Sequence, residues 1–190
     1  MNVRVSKSTI TIGIMMNTYP TVLLKTPLGD ITIKLFLKEA PVTVTNFLTY
    51  VDNQLFDGSS IFRIVTNHNA EQAEDANAKI NVIQAGLPPG HQNLLAGIVH
   101  ETTKETGISH LDGTISMARF EPGTADGSFF FCINDQPELN YGGKRYNDGL
   151  GFAAFGRIIK GREILDLIYK KAENKEYLEH EVLINSIARY

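Results

Sequence analysis

The stretch Gly113-Thr-Ile-Ser-Met-Ala-Arg-Phe-Glu-Pro-Gly-Thr-Ala-Asp-Gly-Ser-Phe-Phe-Phe-Cys-Ile133 decides how the rest of this chain is read. Two short apolar runs, Thr114–Ala118 and Phe129–Ile133, flank a loop rich in Pro, Gly and Asp, the pattern of two strands and their connection. Successive side chains of a strand point to opposite faces, so three consecutive phenylalanines load both faces with aromatic rings. Phe130 therefore points away from Phe129 and Phe131, toward a second apolar environment. A strand with two apolar faces belongs to a small closed or layered β-structure that carries a shallow apolar site on its rim.

Outward from this stretch the pattern repeats. Thr21–Thr26 and Asp30–Phe36 read as a hairpin across Pro27-Leu28-Gly29, with Ile31, Ile33 and Leu35 alternating with Thr32 and Lys34. Pro41 suits the first turn of a helix, and Val44, Phe47, Leu48 and Val51 follow at the spacing of one apolar helix face. Arg162–Lys171 reads as a second helix, with Leu165, Ile168 and Tyr169 on one side, and Val182–Ala188 as a last strand. Many short strands with two helices predict an all-β barrel closed at its ends by the helices.

Composition sets bounds. At 190 residues the chain is one domain with room for a real core, and 43% hydrophobic and 21% charged residues describe an ordinary globular protein. A net charge of −3 provides no electrostatic footprint for nucleic acid. The single cysteine, Cys132, rules out an internal disulfide and reads as a small packed residue. The five histidines, His68, His91, His100, His110 and His180, show no i, i+4 pair of the metal-binding kind, and no metal or cofactor is expected.

Residues 1–19 read as an N-terminal extension. Arg4 and Lys7 precede the short apolar stretch Ile10–Met16, which is too short to span a bilayer and is not followed by a small-x-small cleavage site. The alternation of Ile10, Ile12 and Ile14 fits an extra strand or an extended arm. A cytoplasmic protein is expected, with a periplasmic one as the alternative, and no membrane contact.

Several segments, in order, resemble the cyclophilin family of peptidyl-prolyl isomerases. Ala40-Pro-Val-Thr-Val-Thr-Asn-Phe47 matches its A-P-x-T-V-x-N-F helix start, and Ile61-Phe62-Arg63-Ile64 its F-H-R-[IV] segment. Gln84-Ala85-Gly86 stands for Q-G-G, Gly113–Ala118 for G-x-[LI]-[SA]-M-A, and Ser128–Cys132 for S-Q-F-F-I. Ala154-Phe155-Gly156-Arg157-Ile158 follows the V-F-G-K-V strand, and a Gly-x-x-Ile-Leu helix start follows at Gly161. The resemblance runs from about Thr21 to Tyr190.

It implies a closed eight-stranded antiparallel barrel capped by two α-helices, comprising residues 20–190. It also implies isomerisation of X–Pro bonds in peptides and unfolded proteins, assisting protein folding, by a monomer that needs no cofactor. On this resemblance Arg63 is the electrostatic catalyst, Gln84 orients its guanidinium or binds the substrate backbone, and Phe131 joins them. Met117, Leu139 and Phe152 complete the proline pocket with Phe131, while Ala118 and Arg119 line the peptide groove. Phe129 stands where the family has a substrate-contacting glutamine, Leu139 where it often has tryptophan, and Phe152 where it has histidine or tyrosine. Asn81 stands for an aromatic. These departures permit, as the alternative, a catalytically weak module that binds proline-containing segments of partner proteins.

One segment departs from the family's compact form. Residues 66–79 form an insertion where cyclophilins have a short turn. Its Ala, Glu and Gln content predicts about two helical turns, with Asn69 as the N-cap.

Overall fold

A computed structural model describes residues 19–72 and 78–190. Among these residues nine strands make one antiparallel sheet: β1 (Thr21–Thr26), β2 (Gly29–Leu35), β3 (Ser60–Val65), β4 (Val82–Gly86), β5 (Thr114–Met117), β6 (Ser128–Cys132), β7 (Ala153–Lys160), β8 (Tyr177–Leu183) and β9 (Ser186–Arg189). Their spatial order is β8-β3-β4-β6-β5-β7-β2-β1-β9. The expected hairpin is present, with Thr26 opposite Gly29.

The count is nine rather than eight because the last strand is broken where it changes neighbours. Before the break, Ile184 donates to the Ser59 carbonyl and accepts from the Gly58 amide; after it, Asn185 donates to the Lys25 carbonyl. The two edge strands β8 and β9 are thus one run of chain bent at Ile184–Asn185, and the curled sheet comes round to meet itself there.

Among the described residues three α-helices accompany the sheet: α1 (Pro41–Asp52), α2 (Thr103–Thr106) and α3 (Arg162–Tyr169). The first and third are the two long ones expected. No side chain of Ala40 caps α1; instead the Glu101 carboxylate accepts from the amides of Val42 and Thr43 at 3.0 and 2.8 Å. A carboxylate at a helix N-terminus satisfies free amides and meets the positive end of the helix dipole. The apolar face of α1 closes one end of the barrel. Phe47 packs against Phe56, Phe129 and Phe155 at ring-centroid distances of 5.2–5.3 Å. Leu165 and Ile168 of α3 are fully buried in the same core.

With the interior filled, any binding site must lie outside the barrel wall. A second, smaller apolar cluster supplies it: Val65, Ala70, Ile80, Val82, Phe130, Cys132, Leu139 and Phe152.

The insertion differs from expectation. Among the described residues Asn69 caps no α-helix; it opens a 3₁₀ turn, Asn69–Gln72, and its own side chain is buried. Its Oδ1 accepts from the Thr66 amide, while Nδ2 donates to the carbonyls of Ile64, Glu173 and Lys175. Asn69 therefore latches the end of β3 to the chain leading into β8, a use of its amide that capping would not have left free. Residues 73–77 of the insertion, and residues 1–18 of the N-terminal extension, lie outside the described residues.

Candidate active site

Arg63 on β3 and Gln84 on β4 are directly paired across the ladder, so their side chains leave the same face of the sheet. Arg63 Nη1 donates to Gln84 Oε1 at 2.9 Å, and Gln84 Nε2 donates to Ser128 Oγ at 2.8 Å. Phe130 lies opposite Gln84 on β6. Arginine, glutamine, serine and phenylalanine from three adjacent strands thus share one face. They line a concavity of about 220 Å³.

The apolar wall consists of Ile80, Val82, Ala118, Phe130, Leu139 and Phe152. Phe130 meets Phe152 edge to face at 5.6 Å and stacks on His110 at 6.0 Å. His110 is itself held from both ring nitrogens. Asn140 Oδ1, which can only accept, is 2.8 Å from Nδ1, so the proton sits there and Nε2 accepts from Ser116 Oγ at 2.9 Å. Burial pushes the His110 pKa down to about 4, with the Asn140 hydrogen bond opposing it. A neutral imidazole therefore backs the phenyl ring at neutral pH.

Three predicted site residues lie elsewhere. Phe131, Phe129 and Met117 belong to the barrel interior, all essentially inaccessible to solvent. The reason is strand parity: Ser116 faces Phe130 across the ladder, whereas Met117 pairs with Phe129 and Ile115 with Phe131. The S-Q-F-F match sits one residue too late, and a slip of one residue turns every side chain to the wrong face. On the correct register Phe130 replaces Phe131 as the pocket aromatic. Ser128, not Phe129, stands on the Gln84 face where the glutamine was sought.

Ala118, Leu139 and Phe152 line the concavity as expected. Arg119 lines it too, with a side chain only 1% exposed. Its guanidinium donates to the carbonyls of Gly151 and Phe120 and pairs with Asp148 at 2.8 Å. It also lies over the rings of Tyr146 and Phe152. A single arginine thus fastens the loop between Leu139 and β7 to the pocket floor. Gly151 helps by its backbone, at a φ of +68°; a Cβ there would collide with the Leu139 and Asn140 main chain.

Sequence reasoning missed two charged neighbours. Glu176, just before β8, accepts from Arg63 Nε at 2.9 Å and from Nη2 at 2.5 Å through one carboxylate oxygen. It is 113 residues away in the chain, and no local pattern announces it. Arg145, in the loop after Leu139, also lines the concavity and donates from Nη1 to the Ala78 carbonyl at 3.0 Å. Burial lowers its pKa and the Arg63 charge lowers it further, with Glu176 acting the other way. Nothing in the local run Gly142-Gly-Lys-Arg145 announces that its arginine reaches the site.

Cys132 is fully buried, and burial pushes its thiol pKa up, so it has no nucleophilic character. Among the described residues no group of three or more His, Cys, Asp or Glu is arranged to hold a metal ion.

With this geometry in place, comparison with known proteins is specific. The family model for cyclophilin type peptidyl-prolyl cis-trans isomerase/CLD matches residues 21–189. Peptidyl-prolyl cis-trans isomerase cyp18 of Streptomyces antibioticus is 34% identical over 152 residues, covering 78% of this chain and 82% of that protein. Peptidyl-prolyl cis-trans isomerase B of Escherichia coli is 27% identical over 156 residues, covering 81% and 87%. Among solved structures, a cyclophilin type peptidyl-prolyl cis-trans isomerase of Cryptosporidium parvum superposes with a TM-score of 0.70 at 20% identity, covering 90% of this chain and 98% of that one.

Proposed function

The chain belongs to the cyclophilin type peptidyl-prolyl cis-trans isomerase family, and from that premise we infer that X–Pro bonds turn over in the concavity beside Arg63. The protein is a peptidyl-prolyl cis-trans isomerase. Amide resonance gives the uncatalysed rotation a barrier of about 18–20 kcal/mol. No bond to carbon is made or broken, so the site needs no nucleophile or redox group. It needs a niche that holds the proline ring while the amide twists, and a charge that favours the twisted form over the planar one. A thousandfold acceleration requires about 4 kcal/mol of such differential stabilisation.

The niche is the wall of Ile80, Val82, Phe130, Leu139 and Phe152, and the charge is Arg63. A guanidinium has five N–H donors; three are engaged, Nε and one of Nη2 with Glu176 and one of Nη1 with Gln84. That leaves two for a substrate carbonyl, or for the proline nitrogen as it becomes pyramidal. Arginine remains charged at any working pH and donates without losing its proton. The Ser128 hydroxyl and the Ala118 backbone, neighbours through the Ala118 amide's bond to the Ser128 carbonyl, offer the peptide polar contacts beside the niche.

The observation that carries this reading is the juxtaposition of a half-buried, oriented guanidinium with an aromatic niche in one open concavity. The natural substrates we propose are proline-containing segments of unfolded or loosely folded chains, since the concavity opens to solvent.

The test is a protease-coupled isomerisation assay on a proline-containing tetrapeptide, with wild type beside Arg63→Ala. Acceleration that the substitution abolishes supports the assignment. Peptide binding without acceleration in either protein would make the barrel a binding module. Neither binding nor turnover would remove the concavity from consideration.

A further inference from the structure

Three arginines line the concavity, and two are neutralised in place. Arg63 is paired with Glu176 and Arg119 with Asp148. Arg145 is different. Among the described residues no carboxylate lies within ion-pair distance of it, and its one side-chain hydrogen bond goes to the neutral Ala78 carbonyl. The wall contains one carboxylate of its own, Asp126, which also has no ion-pair partner among the described residues.

These two charges, unpaired among the described residues, sit at opposite ends. Arg145 is tied to Ala78, which leads into Ile80 and the Val82 end of β4. Asp126 precedes Ser128, which pairs with Gly86 at the other end of that strand. Four residue steps of extended strand separate the two ends, about 13 Å at the usual rise of roughly 3.3 Å per residue. A segment of three or four residues centred on a proline in the apolar niche spans that length.

We propose that Arg145 is a specificity-determining residue that selects proline segments bearing a carboxylate side chain on the flank lying toward Ala78. This rests on the isomerase reading of the same concavity. Burial and the neighbouring Arg63 lower the pKa of Arg145 although Glu176 acts the other way, which accords with a buried cation that has no carboxylate at ion-pair distance among the described residues. A substrate Glu or Asp supplies that charge, and a Lys meets two guanidiniums instead. Such discrimination works through the repulsive choice as much as the attractive one. It weakens as salt screens the half-exposed charges.

The experiment measures isomerisation by exchange NMR on short capped peptides. Glu, Gln and Lys are placed in turn at each of the two positions on either side of proline. The proteins are wild type, Arg145→Gln, Arg145→Glu and Arg145→Lys, and the readout is the Glu:Lys ratio of kcat/KM at low salt. The expected result is a ratio of about five or more on one flank in wild type. It should fall to within twofold of unity in Arg145→Gln, reverse in Arg145→Glu and keep its sense in Arg145→Lys. Wild-type ratios within twofold of unity everywhere would overturn the proposal while leaving the isomerase reading intact, because the Gln peptides would still turn over. A ratio unchanged in Arg145→Gln would overturn it equally. Failure of wild type to accelerate any peptide would overturn both.

Discussion

Arg63 gives two of its donors to a single carboxylate oxygen of Glu176, Nε at 2.9 Å and Nη2 at 2.5 Å, across the seam between β3 and the start of β8. Together with Gln84 on Nη1, this grips the guanidinium from two sides and sets the direction of its free N–H groups. Two consequences of the pairing oppose each other. The carboxylate reduces the field that Arg63 projects into the concavity, and it also fixes a flexible side chain in one pose.

Positioning should win, because the pair is partly exposed at 23% and 15% and its Coulomb effect is screened. A misplacement of about 1 Å in a reacting group costs up to a hundredfold. Glu176→Gln should therefore lower kcat about tenfold with KM changed less than threefold, and Glu176→Asp should recover part of the loss. Steady-state parameters for both variants check this; a rise in kcat would mean that charge removal outweighs orientation.

The two faces of β6 separate binding from stability. Phe131→Leu opens space in the barrel core and should cost about 1–2 kcal/mol in urea denaturation, by the usual penalty for large-to-small changes. The kcat/KM of its folded fraction should remain within threefold of wild type. Phe130→Leu alters the niche itself and should lower kcat/KM about tenfold. Equal activity losses in the two variants would contradict the register that places Phe130 outside.

His110 makes stability fall on mild acidification. Its folded pKa of about 4 lies below the usual 6.5, so between these values the unfolded chain binds the extra proton and the folded one does not. Stability from this site is complete above about pH 6.5 and is lost as pH falls toward 4. The interval corresponds to about 3 kcal/mol, since each unit of pKa is worth about 1.4 kcal/mol. Urea titrations at pH 7 and pH 4, with wild type beside His110→Gln, should show a steeper acid loss in wild type by roughly that amount. Parallel losses would show that His110 is not held neutral.

Much of this was legible before any coordinates. The alternation of Ile31, Ile33 and Leu35 put β2 in the wall with those side chains inward, and the Val44-Phe47-Leu48-Val51 face gave α1 its buried stripe, because both are periodic over several residues. Arg63 and Gln84 were readable as partners through matched motifs on adjoining strands, and they are directly opposite. Phe131 and Met117 were assigned to the pocket because motif matching does not carry parity, although the alternation itself had already set Phe130 apart from its neighbours. Glu176 and Arg145 were invisible because their roles arise from closure of the barrel and from the course of one loop. Asn69 was misread because a buried amide serving three carbonyls resembles a cap when only its local sequence is seen.

The central claim is that Arg63 acts on the twisted amide more than on the bound peptide. Its most direct test sets isomerisation rate against peptide affinity in Arg63→Gln, with the rate from exchange NMR and the affinity from chemical-shift titration. The expected result is a rate lowered about a hundredfold or more while Kd changes only a few-fold, the signature of an interaction made in the transition state. An unchanged rate, or a rate that falls only in step with affinity, would contradict it.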